Sequence, residues 1–408
     1  MTEATYVVLE IEDRPSSGGL RSFGSQPGFG TRSVSGAAGM GASRAAPVKV
    51  KVSSEKMTEA QAADLRKNTR TLAERAFPIR LIKPMGDPVP AAADATAWGL
   101  AATMADKSKF DGTGATVAVL DTGIDPAHPA FAHLGARLVR KDFTKDFTTD
   151  AEEAMDFHGH GTHCAGTIFG GTVGTTRIGI APGVARALVA KVLPDDRAGD
   201  LGMLVRAIQW ADAEKANIVS MSLGFDFPGM VAQLVDEGTP QTVAVSNALV
   251  LFTRNLRIFD RLMYLQNADT PMLVVAASGN ESDRPNGVRI SASLPAAADQ
   301  VVVVGAYGRK GKSYEIASFS NTDVTLSAPG VGILSAGLGG GLTEMSGTSQ
   351  ACPHVAGLAA LWWHKLTDSN QDPTAERLRQ ELFGNAKSVK FPPDTLSSDY
   401  GRGRAFAP

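Results

Sequence analysis

The chain has 408 residues, 43% of them hydrophobic, enough to enclose one large core and a smaller accessory domain. Its 40 Lys and Arg against 42 Asp and Glu give a formal net charge of -2, which argues against nucleic acid or an anionic membrane as a partner. No run approaches the ~18 consecutive apolar residues of a bilayer span, and two cysteines, Cys164 and Cys352, exclude a disulfide framework and allow at most one bridge.

Met1 to Arg14 lacks the basic start and apolar run of a secretory signal, so the expectation leans towards a cytoplasmic protein. Tyr6 to Ile11 reads as a short strand. Ser16 to Ala46 is dominated by Gly, Ser and Ala, too poor in large apolar groups to offset ordering entropy, and is expected to be a flexible insert. The alternation Val48-Lys49-Val50-Lys51-Val52 predicts a half-buried strand, followed by a helix over Thr58–Ala76 and a strand over Ile79–Ile82. Pro84, Pro88 and Pro90, then Ala91 to Ala93, punctuate the chain as a linker would. A small α/β domain over 1–92 and a larger domain over 93–408 follow.

From Thr116 onward, short Val- and Ile-rich runs alternate with helical patterns, the signature of an α/β domain with a parallel sheet covered on both faces. The expected strands are Thr116–Leu120, Ala187–Leu193, Asn217–Leu223, Met272–Ala277 and Val301–Ala306. Over Asp200–Lys215, Leu201, Leu204, Ile208 and Ala211 recur at helical spacing, predicting a crossover helix.

Ligands of such sheets bind beyond the carboxyl ends of the strands, so polar residues that end apolar runs are the candidates. Asp121 ends Val117-Ala118-Val119-Leu120 and opens a Thr-Gly turn; a turn former would read the same way. His158, His160 and His163 form the densest imidazole cluster. Three imidazoles this close offer ligands for zinc, but the HExxH spacing is absent. Glycines flank His160 and leave it the better general base, whereas the neighbours of His163 pack inward. Ser349 opens an apolar helix after a glycine-rich approach, where the helix dipole favours negative charge; an ordinary helix cap is the plainer reading, and the P-loop lysine is missing. Asn280 ends the strand run Val274 to Ala277, placed either to shape a turn or to donate to an oxyanion.

Together, in the order Asp, His, Asn, Ser, the segments VAVLDTGID, HGHGTHCAGT, SMSLG, VVAASGN and SGTSQACPHVAGLAAL resemble the subtilisin-like serine proteases, and the histidine segment with Cys164 looks closest to the proteinase K branch. The resemblance covers about Ala97 to Arg404. It departs at Gln350, where methionine is usual; that side chain is expected to face helix packing. The resemblance implies a three-layer subtilisin-like fold and a serine endopeptidase that forms an acyl-enzyme. In it Asp121, His160 and Ser349 would be the triad, and Asn280 the oxyanion donor. Ser222, Leu223 and Gly224 would pair with the substrate backbone, and Ala276, Ala277, Ser278 and Gly279 would wall the specificity pocket. Their small apolar character suggests broad tolerance with an apolar preference, while Glu281 could admit basic side chains.

The resemblance further implies no cofactor for the chemistry, structural calcium with no ligands that the sequence names, and polypeptides as the partners. It also implies that residues 1 to about 92 are a propeptide that assists folding and blocks the cleft. An insert over about 225–270, carrying Leu251, Phe252, Ile258 and Phe259, is expected as one or two helices bordering the cleft. The alternatives are a catalytically silent or self-inhibited homologue acting as a regulator, and an esterase or ligase using the same acyl-enzyme.

Overall fold

The computed structural model describes residues 3–11, 50–92, 95–145, 154–195, 198–269, 271–388, 391–393 and 395–408; the Gly-rich stretch 16–46 lies outside the described residues. The strand Ala4–Ile11 is the middle of a three-stranded antiparallel sheet, between Val50–Met57 and Thr71–Arg75. Its alternation is used on both faces. Tyr6 and Val8 pack with Met57, Ala62 and Ala73 of the small unit, while Val7 and Leu9 join a core shared with the helix Leu201–Ala213.

The helix expected over Thr58–Ala76 is shorter, Glu59–Leu65, and Thr71–Arg75 is a strand. Thr58 and Gln61 form a reciprocal cap that starts the helix. Past Leu65 the chain turns, with the Asn68 side chain accepting from the Arg70 N–H at 3.0 Å and the Thr71 N–H donating to the Asn68 carbonyl at 2.9 Å. The unit is therefore strand, strand, helix, strand.

Pro78–Leu81 leaves that unit and becomes the middle of a second antiparallel sheet, between Gly199–Asp200 and Leu223–Phe225. Val89–Pro90 pairs with Leu342–Met345.

Among the described residues the main sheet has eight strands. Its path runs Ser313–Ile316, Val301–Lys310, Leu273–Ala277, Ile218–Met221, Thr116–Asp121, Arg186–Lys191, Leu138–Asp142, with Leu326–Pro329 also pairing Val301–Lys310. All these pairings are parallel except that of Ser313–Ile316. Period-two alternation explains the layers. Val117 and Val119 face the core that holds the helices His160–Phe169 and Thr348–Asp368; Ala118 and Leu120 face the core that holds Leu201–Ala213 and the insert. The insert is a helix Phe227–Asp236 followed by one helix of 29 residues, Gln241–Asp269. No helix among the described residues is long and apolar enough to cross a membrane.

Candidate active site

Asp121 ends the central strand with its carboxylate buried, and Oδ1 accepts from the Thr122 N–H at 2.8 Å and faces His160 Nδ1 at 2.7 Å. His160 is the first residue of its helix. Two glycines allow that placement: Gly159, at φ +91°, takes the left-handed N-cap position, and a Cβ on Gly161 would lie 2.2 Å from the Gly123 carbonyl oxygen. The helix start thus rests directly on the turn after Asp121.

Asp156 holds this contact in place, and sequence reasoning missed it. Its buried carboxylate accepts from Thr122 Oγ1, from the N–H groups of His158, Gly159 and Thr162, and from Thr162 Oγ1, all at 2.7–2.9 Å. Burial pushes its pKa up, but the bonds from Thr162, Gly159 and Thr122 outweigh burial and hold it below the usual carboxylate value. Lys191, also missed, donates from Nζ to the Thr122 and Met155 carbonyls at 2.8 and 3.0 Å and to Asp195 at 2.7 Å, pinning the same turn. An aspartate two residues before a His-Gly pair was the only signal for the first; nothing marked the second.

The three histidines diverge. His158 is exposed; His163 is buried with Nε2 on the carbonyls of Ile333 and Thr343 at 2.9 and 3.2 Å, and burial lowers its pKa to about 3. The sole group of three His, Cys or acidic side chains within metal-ligand reach among the described residues is Asp121, His160 and Cys164. A thiol and an imidazole do not suit calcium, which takes oxygen donors. Cys164 Sγ lies 3.8 Å from His160 Nδ1, and burial, then the charge of Asp121, raises its pKa well above the ordinary thiol value, so it stays a neutral packing group. Cys352 is likewise a free buried thiol, its pKa pushed up to about 12 by burial.

Ser349 is the second residue of the helix Thr348–Asp368 and fully buried. Pro353, four residues on, has no N–H, so the Ser349 carbonyl loses its helical donor. Ser222 Oγ at 3.0 Å and Cys164 Sγ at 3.3 Å donate to it instead, tying the serine to the histidine helix and to the loop after the strand Ile218–Met221. Gln350 is fully buried in the packing beside Met345.

Asn280 caps the same helix: Oδ1 accepts from the Thr348 N–H and Oγ1, each at 2.9 Å, which turns Nδ2 outward to donate to the Lys83 carbonyl at 2.9 Å. Ala276, Ala277, Ser278 and Gly279 are buried where the strand Leu273–Ala277 ends beside this cap, and the Gly279 N–H donates to Thr348 Oγ1 at 3.2 Å. Asn321 braces the loop, accepting from the N–H groups of Glu281 and Ser282 at 3.1 and 3.0 Å; a lone Asn in a Ser-Asn-Thr stretch gave no sequence signal.

The four side chains singled out in the sequence therefore come together at one end of the sheet, and the chain's own N-terminal region lies across them. Leu81 pairs with Leu223 and Arg80 with Gly224, while the Ser349 hydroxyl donates to the Ile82 carbonyl at 3.2 Å.

The profile of the Subtilase family matches residues 112–403. The chain is 36% identical over 251 residues to an intracellular serine protease of Paenibacillus polymyxa, covering 61% of this chain and 67% of that protein. It is 32% identical over 297 residues to the major intracellular serine protease of Bacillus subtilis (72% and 81%), and 30% identical over 383 residues to a subtilisin of a Bacillus species (86% and 81%). The chain belongs to the subtilase family and is a serine-type endopeptidase.

Proposed function

We propose that Asp121, His160 and Ser349 are the catalytic triad of this endopeptidase and that Asn280 is its oxyanion donor. The observation that carries the reading is the buried 2.7 Å contact of His160 Nδ1 with Asp121, set beside a serine and an outward-turned amide that both reach peptide carbonyls. Ser349 attacks the substrate carbonyl, His160 Nε2 takes the hydroxyl proton and passes it to the leaving amine, and Asp121 holds the Nδ1–H tautomer and balances the imidazolium. Asn280 and the Ser349 amide hold the oxyanion until the amine departs, and water then hydrolyses the acyl-enzyme by the same steps. These steps draw on no cofactor.

Substrate lies as an added antiparallel strand between Gly199–Asp200 and Leu223–Phe225, the place that Pro78–Leu81 fills. Ala276, Ala277, Ser278 and Gly279 border the pocket for the side chain before the cleaved bond, and their small size favours apolar groups there. Residues 1 to about 92 act as an intramolecular inhibitor. The serine bonds the Ile82 carbonyl, whereas the oxyanion amide bonds the next one, Lys83. Attack requires both groups on one carbonyl, so neither peptide bond is held ready to react. The bond after Lys83 also leads into Pro84, whose nitrogen carries no hydrogen and restrains the residue before it.

The histidine segment with Cys164 supports a place beside the proteinase K branch, and the names of two relatives support work inside the cell. The test is casein digestion by the full-length protein, incubated until its rate is steady. Wild type is expected to cut it, and Ser349→Ala and His160→Ala to lose nearly all activity. A protein that cleaves a simple ester but leaves casein intact would contradict the reading.

A further inference from the structure

The long insert helix Gln241–Asp269 reads main chain in the region that leads into the cleft. Asn255, fully buried, accepts from the Phe77 N–H at 3.2 Å through Oδ1 and donates to the Arg75 carbonyl at 3.1 Å through Nδ2. One amide thereby satisfies a donor and an acceptor of an extended backbone, a contact independent of the side chains presented. Next to it the buried Phe77 ring stacks on Phe225 with centroids 5.3 Å apart and meets Phe252 edge to face at 5.8 Å. Phe77 stands at the fifth position before Ile82, the residue whose carbonyl meets the Ser349 hydroxyl.

We propose that Phe225, Phe252 and Asn255 form a distal subsite for polypeptide substrates, which selects an aromatic side chain at the fifth position before the residue whose carbonyl faces Ser349. Phe77 holds this subsite while the N-terminal segment lies in the cleft. The inference rests on the reading that substrates follow the path of Pro78–Leu81. A substrate aromatic takes the place of the Phe77 ring, stacked on Phe225 and edge to face with Phe252; a small side chain there leaves apolar surface against water.

The test compares three quenched-fluorescent peptides with a common cut site: a short one ending before the distal position, and two long ones with Phe or Ala at it. Full-length protein is first incubated until its rate on the short peptide is steady, and cut positions are read by mass. Wild type is expected to show kcat/KM about tenfold or more higher for the Phe peptide than for the Ala peptide. Phe252→Ala is expected to bring that ratio close to one and Phe252→Leu to restore part of it. The ratio is taken within one sample, so partial loss of folded enzyme does not move it. Equal rates on the two long peptides, with the short one cut, overturn the subsite alone. Failure to cut any of the three overturns the endopeptidase mechanism and the subsite with it.

Discussion

At Asp156 a single carboxylate gathers five donors, four from the segment that presents His160 and one from Thr122 in the turn after Asp121, and removing its charge disturbs all of them. Asp156→Asn puts an NH2 among groups that themselves donate, so we expect a loss of about 2–3 kcal/mol in thermal unfolding together with a fall in kcat. Its lowered pKa has a definite sign: the folded value lies below the unfolded one, so the stabilisation is present above the ordinary carboxylate range and is lost as pH falls through the folded value. Gly161→Ala tests position more sharply. Its Cβ would meet the Gly123 carbonyl at 2.2 Å, and the helix start must move off the Asp121 turn. A shift of about 1 Å predicts roughly a hundredfold lower kcat with circular dichroism unchanged; wild-type kcat would refute the close-approach argument. The candidate triad was legible because each member ends an apolar run or opens a helix. Asp156 and Lys191 were not, since their partners are backbone groups that converge only after folding.

The strand Pro78–Leu81 and the residues that follow it are expected to set how fast the cleft opens. Pro84→Ala supplies the missing N–H and relaxes Lys83, so self-cutting near residue 83 is expected to appear earlier in a time course of intact mass than in wild type. An unchanged time course would remove Pro84 from the account. Here the sequence pattern showed a strand over Ile79–Ile82 but not its partners, because pairing with Leu223–Phe225 is set by a surface 144 residues away, Gly224 opposite Arg80. The helix expected over Thr58–Ala76 failed for a local reason: the turn at Asn68 is stabilised by its own side chain, and Thr71–Arg75 finds an edge of the strand Ala4–Ile11 to pair with. The insert was legible as helical, but its hold on Phe77 through Asn255 was not.

For the molecule as a whole, two buried histidines predict acid sensitivity. His163 and His354 are fully buried, and burial lowers their pKa values to about 3 and about 4 from an ordinary 6.5. Below pH ~6.5 the unfolded chain takes protons that the folded chain refuses, so stability is lost as pH falls, by about 1.4 kcal/mol per unit for each histidine, down to the folded values. Urea unfolding between pH 7 and 4.5 is expected to show this slope, and His354→Gln to reduce it; a flat profile would contradict the neutral, buried assignment. The α/β layering was legible because strands buried on both faces read as apolar runs, whereas the path of the N-terminal region across the site depends on contacts between distant segments. The most direct measurement for the central claim is fluorophosphonate labelling of the full-length protein at steady activity, with the adduct mapped by peptide mass. A single adduct on Ser349, absent in Ser349→Ala and strongly slowed in His160→Ala, is the predicted result. An adduct on another residue, or casein digestion by Ser349→Ala at the wild-type rate, would contradict it.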